Sequence, residues 1–173
     1  GLLTKTADKL SKRGFVIRVF GISAVYLVVS DLLEMPWSIF SGWWRETEYG
    51  RTSQPLMDFL GQGLLALAIS VLLFGIFLVA SYAFIQKGKK LWGLWGGAFS
   101  GLFVAFLMVV GPSYIAPLFN DYQPVPPGEV RDAVEAMAID AGIPTDRVFM
   151  YDGSRQSNNF TANVAGIGGA ARI

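Results

Sequence analysis

Apolar residues in this chain fall into three long runs separated by short polar stretches, followed by a tail of mixed character. The first run covers 15–40 and is interrupted only by Arg18, Asp31, Glu34 and Pro36. The second, 60–85, and the third, 91–110, contain no charged residue at all. A hydrocarbon core of ~30 Å takes about 20 helical residues to cross, so each run predicts a membrane-spanning helix. Pro36 lacks the amide hydrogen that would bond the Leu32 carbonyl, and a kink or a stop is expected there. Trp37, Trp43 and Trp44 follow the first run, and Trp92 and Trp95 open the third, where an amphipathic ring suits the membrane–water interface. Gly93, Gly97 and Gly101 recur at every fourth position, a spacing that predicts close helix packing in lipid.

The polar stretches predict the remaining elements. Residues 45–58 form a connector, and Gln86-Lys87-Gly88-Lys89-Lys90 a tight loop. The character changes again from Pro112. Residues 123–128, rich in proline, form a stiff connector that no helix crosses. A helix is expected over 129–141, with Val130, Val134, Met137 and Ala141 on one face and Gly142 and Pro144 ending it. Short strands are expected at about 148–151 and 160–165, the first followed by an Asp152-Gly153 turn. The predicted fold class is therefore mainly α: a polytopic membrane helical bundle over 1–120, then the start of a water-facing α+β region over 121–173. That region is too small to bury a core by itself. The chain begins at Gly1 rather than Met and stops at Ile173 after a glycine cluster, so both ends read as cut.

Composition sharpens this picture. The chain is 53% hydrophobic and only 16% charged, more apolar than a soluble core of this size needs, so the excess belongs in lipid. The net charge of +1 comes with no basic patch interleaved with aromatics, which argues against nucleic-acid binding. With no cysteine, disulfides, thiolate catalysis and thiolate-bound metals are excluded; with no histidine, so is any His-based triad or His-ligated zinc within these residues. Lys5, Lys9, Lys12, Arg13 and Arg18 lie at the first span, and three lysines lie between the second and third. By the positive-inside rule these face the cytoplasm and the tail faces outward.

Candidate chemistry is sparse. Asp31 and Glu34 stand three apart on one face of a membrane helix; such carboxylates either line a cavity or pathway or lie hydrated near the interface beside Trp37. Gly166-Ile167-Gly168-Gly169-Ala170-Ala171 has the form of a dinucleotide fingerprint, but without the acidic residue ~20 positions on that the chemistry needs, a glycine-rich hairpin turn is the better reading. Asn159-Phe160-Thr161 is a glycosylation sequon in form only.

Longer stretches carry a resemblance. Met35-Pro36-Trp37-Ser38-Ile39-Phe40 leads to the acidic pair Glu46 and Glu48 and the Gly50–Gln54 step. Tyr114-Ile115-Ala116-Pro117-Leu118-Phe119-Asn120 precedes the proline connector, and Asp152-Gly153-Ser154-Arg155 precedes Thr161-Ala162-Asn163-Val164-Ala165-Gly166. Together these resemble the CAAX prenyl protease 1 family over about residues 32–173. The resemblance implies an integral-membrane zinc metalloprotease whose helices enclose a chamber, with zinc held by a His-Glu-x-x-His helix and a later glutamate. None of those zinc ligands is present here, so the chain would be a portion of a longer protein, without its metal site and with no catalytic residue of its own. The tail would begin the metalloprotease domain. The strand before the zinc helix in such enzymes offers its edge to an extended peptide; by position that edge is Thr161, Ala162, Asn163 and Val164. The family usually has Asn-Ala where this chain has Thr161-Ala162. Asp31 and Glu34 become candidate chamber-lining residues.

The implied cofactor is zinc, and the implied partners are the lipid bilayer and a peptide or protein substrate. The implied location is a bacterial inner membrane or ER-type membrane. The resemblance favours a cytoplasm-facing protease domain, against the lysine distribution. Two other classes stand beside the protease: a non-enzymatic membrane scaffold or chaperone-like protein sharing the fold, suggested by the absence of histidine, and a transporter or channel resting on Asp31 and Glu34.

Overall fold

A computed structural model describes residues 1, 4–5, 14–142, 145, 148–158 and 164. Helix α1 spans Phe15–Ser38 and does not stop at Pro36. The chain continues through wider π-type turns over Ile39–Trp44 into a last α-helical turn, α2, at Arg45–Glu48. Apolar surroundings offer no water to a freed carbonyl, so a proline in such a helix is absorbed by local winding and by hydroxyls. Beyond the proline, within and after the π-type turns, the Ser41 hydroxyl donates to the Trp37 carbonyl at 2.7 Å, and Thr47 to Trp43 at 2.8 Å. Trp37, Phe40 and Trp44 follow one another along this stretch, the first pair tilted and the second stacked, with ring centroids 5.6 and 5.3 Å apart.

Helix α3, Leu56–Lys87, begins after Pro55, with Asp58 in its first turn where a carboxylate complements the helix dipole. Its 32 residues reach about 48 Å, longer than a ~30 Å hydrocarbon core. Helix α4, Trp92–Val110, then passes through another wide turn at Gly111–Ile115 and a tight one at Ala116–Leu118. Pro112 and Pro117 lie in these two turns, so proline again coincides with altered winding rather than with a clean stop. Three helical stretches among the described residues, Phe15–Glu48, Leu56–Lys87 and Trp92–Leu118, are long and apolar enough to cross a membrane.

The chain divides into two compact units: Gly1–Tyr49 with Pro55–Phe103, and Gly50–Gln54 with Val104–Ile173. In the first, α1 packs on α3. Gly75 is buried at this contact, and a Cβ there would stand 2.5 Å from the Phe20 ring. Ser23, 4% exposed, turns its hydroxyl back onto the Phe20 and Val19 carbonyls at 2.8 and 3.0 Å and so satisfies itself within α1. The α3–α4 contact is aromatic: Phe77 meets Phe103 and Phe99 at 5.0 and 5.7 Å, and Phe84 meets Phe99 at 5.5 Å. This contact decides the glycine spacing in α4. Phe99 and Phe103 lie about 200° around the helix from Gly97 and Gly101. Among the described residues nothing comes within 4 Å of a Cβ built at Gly93, Gly97 or Gly101. Close helix packing is found at Gly75.

In the second unit, β1 (Tyr122–Pro124) pairs antiparallel with β2 (Phe149–Tyr151), with Tyr122 opposite Tyr151 and Pro124 opposite Phe149. Part of the proline connector is thus a strand, and the Val125 amide extends the ladder to the Val148 carbonyl at 3.2 Å. Helix α5, Glu129–Asp140, lies between the two strands in sequence. Its covered side is not the expected apolar face. Ala138 is buried and Val134 half-buried, while Val130 and Met137 are 73% and 64% exposed. Arg131 explains the rotation: its Nη1 donates to the Val125 carbonyl at 3.1 Å and its Nε to Glu135 Oε1 at 2.6 Å, which turns a polar stripe of α5 toward the connector.

Candidate functional site

The β1–β2 ribbon borders a cleft of about 190 Å³ lined by Asn120, Asp121, Gln123, Met150, Tyr151 and Asp152. Asn120 comes from the end of the Tyr114–Asn120 segment, whose tight turn is closed by the Phe119 and Asn120 amides donating to the Ala116 carbonyl at 3.1 and 3.2 Å. The Tyr122 and Tyr151 rings, opposite each other in the ladder, meet at 5.1 Å and an interplanar angle of 48°. Asp152 caps the following turn: its Oδ1 accepts from the Ser154 amide at 3.0 Å, so one of its carboxylate oxygens serves the backbone. Amide, carboxylate and phenol groups of this kind can bond to peptide groups. They do not make a metal centre. The whole chain lacks histidine and cysteine, and among the described residues no three carboxylates gather to hold a metal. The chain therefore does not fit zinc by itself.

Beside this cleft in sequence lies a polar clamp between distant segments. The helix that ends at Glu48 is closed by Gly50, whose φ of 65° lies in the left-handed region that glycine adopts without strain. The chain then passes through Gly50–Gln54 without regular secondary structure, with Thr52 and Gln54 buried and Ser53 exposed. Thr52 Oγ1 accepts from the Gln54 amide at 3.1 Å, a local bond that lets a polar residue be buried there. Asn158 grips this stretch three times. Its amide nitrogen donates to the Arg51 carbonyl at 2.8 Å, its Nδ2 to the Gly50 carbonyl at 2.7 Å, and its Oδ1 accepts from the Ser53 hydroxyl at 3.2 Å.

Asp31 is half-buried and Glu34 exposed, one turn apart on α1, some way before the π-type turns. Of the expected substrate edge, Thr161, Ala162 and Asn163 lie outside the described residues, as does the rest of 160–165 apart from Val164, which is 52% exposed. The sequon and the glycine cluster at 166–171 lie outside them too. Asn158 was not singled out by the sequence pattern. The one available signal was a short polar side chain two positions before the candidate edge strand, and such side chains readily bond to backbone groups.

Over residues 1–121 the chain matches the model of a family described as CAAX prenyl protease N-terminal, five membrane helices. It is 29% identical over 152 residues to the CAAX prenyl protease 1 homolog of Arabidopsis thaliana, covering 87% of this chain and 36% of that protein. It is 26% identical over 157 residues to the uncharacterized metalloprotease YhfN of Bacillus subtilis, covering 91% of this chain and 37% of that protein. The chain thus spans little more than a third of the length of these relatives. Its fold matches the crystal structure of S. mikatae Ste24p with a TM-score of 0.83 at 23% identity, over 91% of this chain and 37% of that one.

Proposed function

This chain belongs to the CAAX prenyl protease family, and from that premise we propose that the complete protein is a membrane-embedded zinc metalloendopeptidase that hydrolyses peptide bonds. The observation that carries the proposal is the family match across the membrane helices, joined to relatives named as prenyl proteases and a metalloprotease. The chain itself is a multi-pass integral membrane segment. Residues 1–120 would be its membrane part and 121–173 the beginning of a water-facing metalloprotease domain. Zinc would be held by residues outside these 173, since none here can ligate it as histidine or cysteine does.

This chain's own part in the reaction is to bind and orient. An extended peptide would add to the edge offered by Thr161, Ala162, Asn163 and Val164, gaining main-chain hydrogen bonds whatever its side chains. Asp31 and Glu34 would line a water-filled chamber, where carboxylates in a membrane helix are tolerated. The bilayer and a peptide or protein are the expected partners.

The test is zinc content and peptide cleavage by the purified complete protein in detergent or vesicles. About one zinc per chain and cleavage abolished by a chelator and restored by zinc would be expected of a metalloprotease. Chelator-insensitive cleavage, or no cleavage of prenylated or unprenylated peptides by zinc-loaded protein, would overturn the assignment in favour of a scaffold that shares the fold.

A further inference from the structure

The corner between α3 and α4 carries positive charge that the described chain does not balance. Lys87 ends α3, a short turn covers Lys89–Leu91, and α4 starts at Trp92. The corner is tight: the Gly88 amide donates to the Phe84 carbonyl at 2.7 Å, and a Cβ at Gly88 would stand 2.7 Å from Trp92 Cα. Lys87 and Lys90 are exposed, and so are Trp92 and Trp95, at 50% and 56%. We propose that this corner binds anionic phospholipid headgroups, with Lys87 and Lys90 on the phosphate and Trp92 and Trp95 beside it at the membrane surface. The site needs only the membrane-crossing helices and stands apart from the protease reading.

The charge has no internal partner. The sequence holds no acidic residue between Asp58 and Asp121, and among the described residues no ion pair reaches Lys87 or Lys90. Phe20 against Gly75 and Gly42 against Phe59 set α1 antiparallel to α3, which puts Glu46, Glu48 and Asp58 at the other end of the same unit. Lys87 lies in the last turn of α3, where a cation complements the helix dipole. Lys90 stands just before the first turn of α4, where a cation is disfavoured and no acid offsets it. An anion from outside the chain reverses that cost. Depth identifies the anion. Phe84 and Phe99 pair at 5.5 Å, which sets those levels of α3 and α4 side by side. At 1.5 Å per residue, Lys87 lies about 4.5 Å beyond that level and Trp95 about 6 Å. Ammonium groups and indole rings therefore share one layer, at the edge of the charge-free run 60–85. Indole rings favour the headgroup level, and the abundant anion there is lipid phosphate. A zwitterionic headgroup brings its own cation, which repels lysine, whereas a headgroup of net negative charge does not. Attraction of a basic side chain to an anionic surface is worth roughly fivefold in occupancy per lysine.

The complete protein is reconstituted in vesicles mixing phosphatidylglycerol with phosphatidylcholine, with bromine on the chains of one lipid or the other to quench nearby Trp fluorescence. The Trp92 and Trp95 signal is the difference between the wild type and Trp92→Phe/Trp95→Phe. Phosphatidylglycerol is expected to quench that signal about tenfold more effectively than phosphatidylcholine at low salt. Lys87→Gln/Lys90→Gln should bring the ratio close to one with an unchanged melting temperature, and Lys87→Arg/Lys90→Arg should keep it. Raising salt to about 0.5 M should also erase the preference, a readout on the wild type that depends on no variant folding. Equal quenching by the two lipids at low salt would overturn the inference, and so would a preference that survives in the Gln variant. Absence of quenching by either lipid would place the corner away from the bilayer surface and overturn it as well. Loss of the preference on adding inorganic phosphate, but not chloride of equal ionic strength, would make this a site for the free ion and overturn the lipid assignment.

Discussion

Where α1 meets α3, the ring of Phe20 lies over Gly75 with no room for a Cβ, and Ser23 spends its hydroxyl on its own helix. Where the connector meets the tail, Asn158 reaches into three backbone and side-chain groups of Gly50–Gln54, and Arg131 reaches from α5 to the Val125 carbonyl. The first unit joins its helices by shape, the second its segments by polar bonds. In lipid the hydrophobic effect does not favour one apolar contact over another, so close approach and van der Waals packing have to distinguish them. A small region with Ala138 and Val148 as its buried apolar residues among those described cannot rely on a core, and directed hydrogen bonds must hold its segments together.

That contrast can be broken most severely at Gly75. Gly75→Leu forces a side chain into the Phe20 ring and is expected to cost about 3 kcal/mol or abolish the folded protein, read by thermal melting in detergent. Adding Phe20→Ala should restore much of the loss, a non-additivity that a general defect in α3 would not produce. If Gly75→Leu melts like the wild type, shape does not govern the α1–α3 contact.

The polar side breaks more gently. Gly50→Ala places a Cβ in the left-handed region and is expected to cost about 1–2 kcal/mol. Gly61→Ala, inside α3 with open space around it, should be neutral or stabilising, because alanine is the better helix former. Opposite signs for these two glycine substitutions, measured by chemical denaturation, would separate turn geometry from helix propensity. Arg131→Met keeps the stem but removes both donors, and should lower stability by roughly 1 kcal/mol. Hydrogen exchange should rise over 129–140 and stay unchanged in α1 and α3. The smallest effect is expected at Tyr151→Leu, which loses the ring pair with Tyr122 for about 0.5–1 kcal/mol. A larger loss there would mean that the ribbon, rather than the clamp, holds the tail.

The three spans and the family were legible in the sequence alone. A charge-free run long enough to cross a bilayer is local information, and so is a motif such as the Tyr114–Asn120 segment. Local information did not decide which features were used. Helical winding continued past Pro36 through π-type turns, because in lipid the chain has no alternative partner for its backbone. Among the described residues the close helix contact falls at Gly75 rather than at the α4 glycines, because aromatic packing on α3 set the rotation of α4. The face of α5 that became covered was the one Arg131 could tie to Val125, against the apolar pattern. Strand β1 arose inside a proline-rich connector because β2, distant in the sequence, offered it a partner. Asn158 finds bonding partners 105 and 108 positions away. Hydrophobicity along the chain sets which segments leave water, whereas the pairing of groups far apart depends on three-dimensional positions that no local pattern encodes.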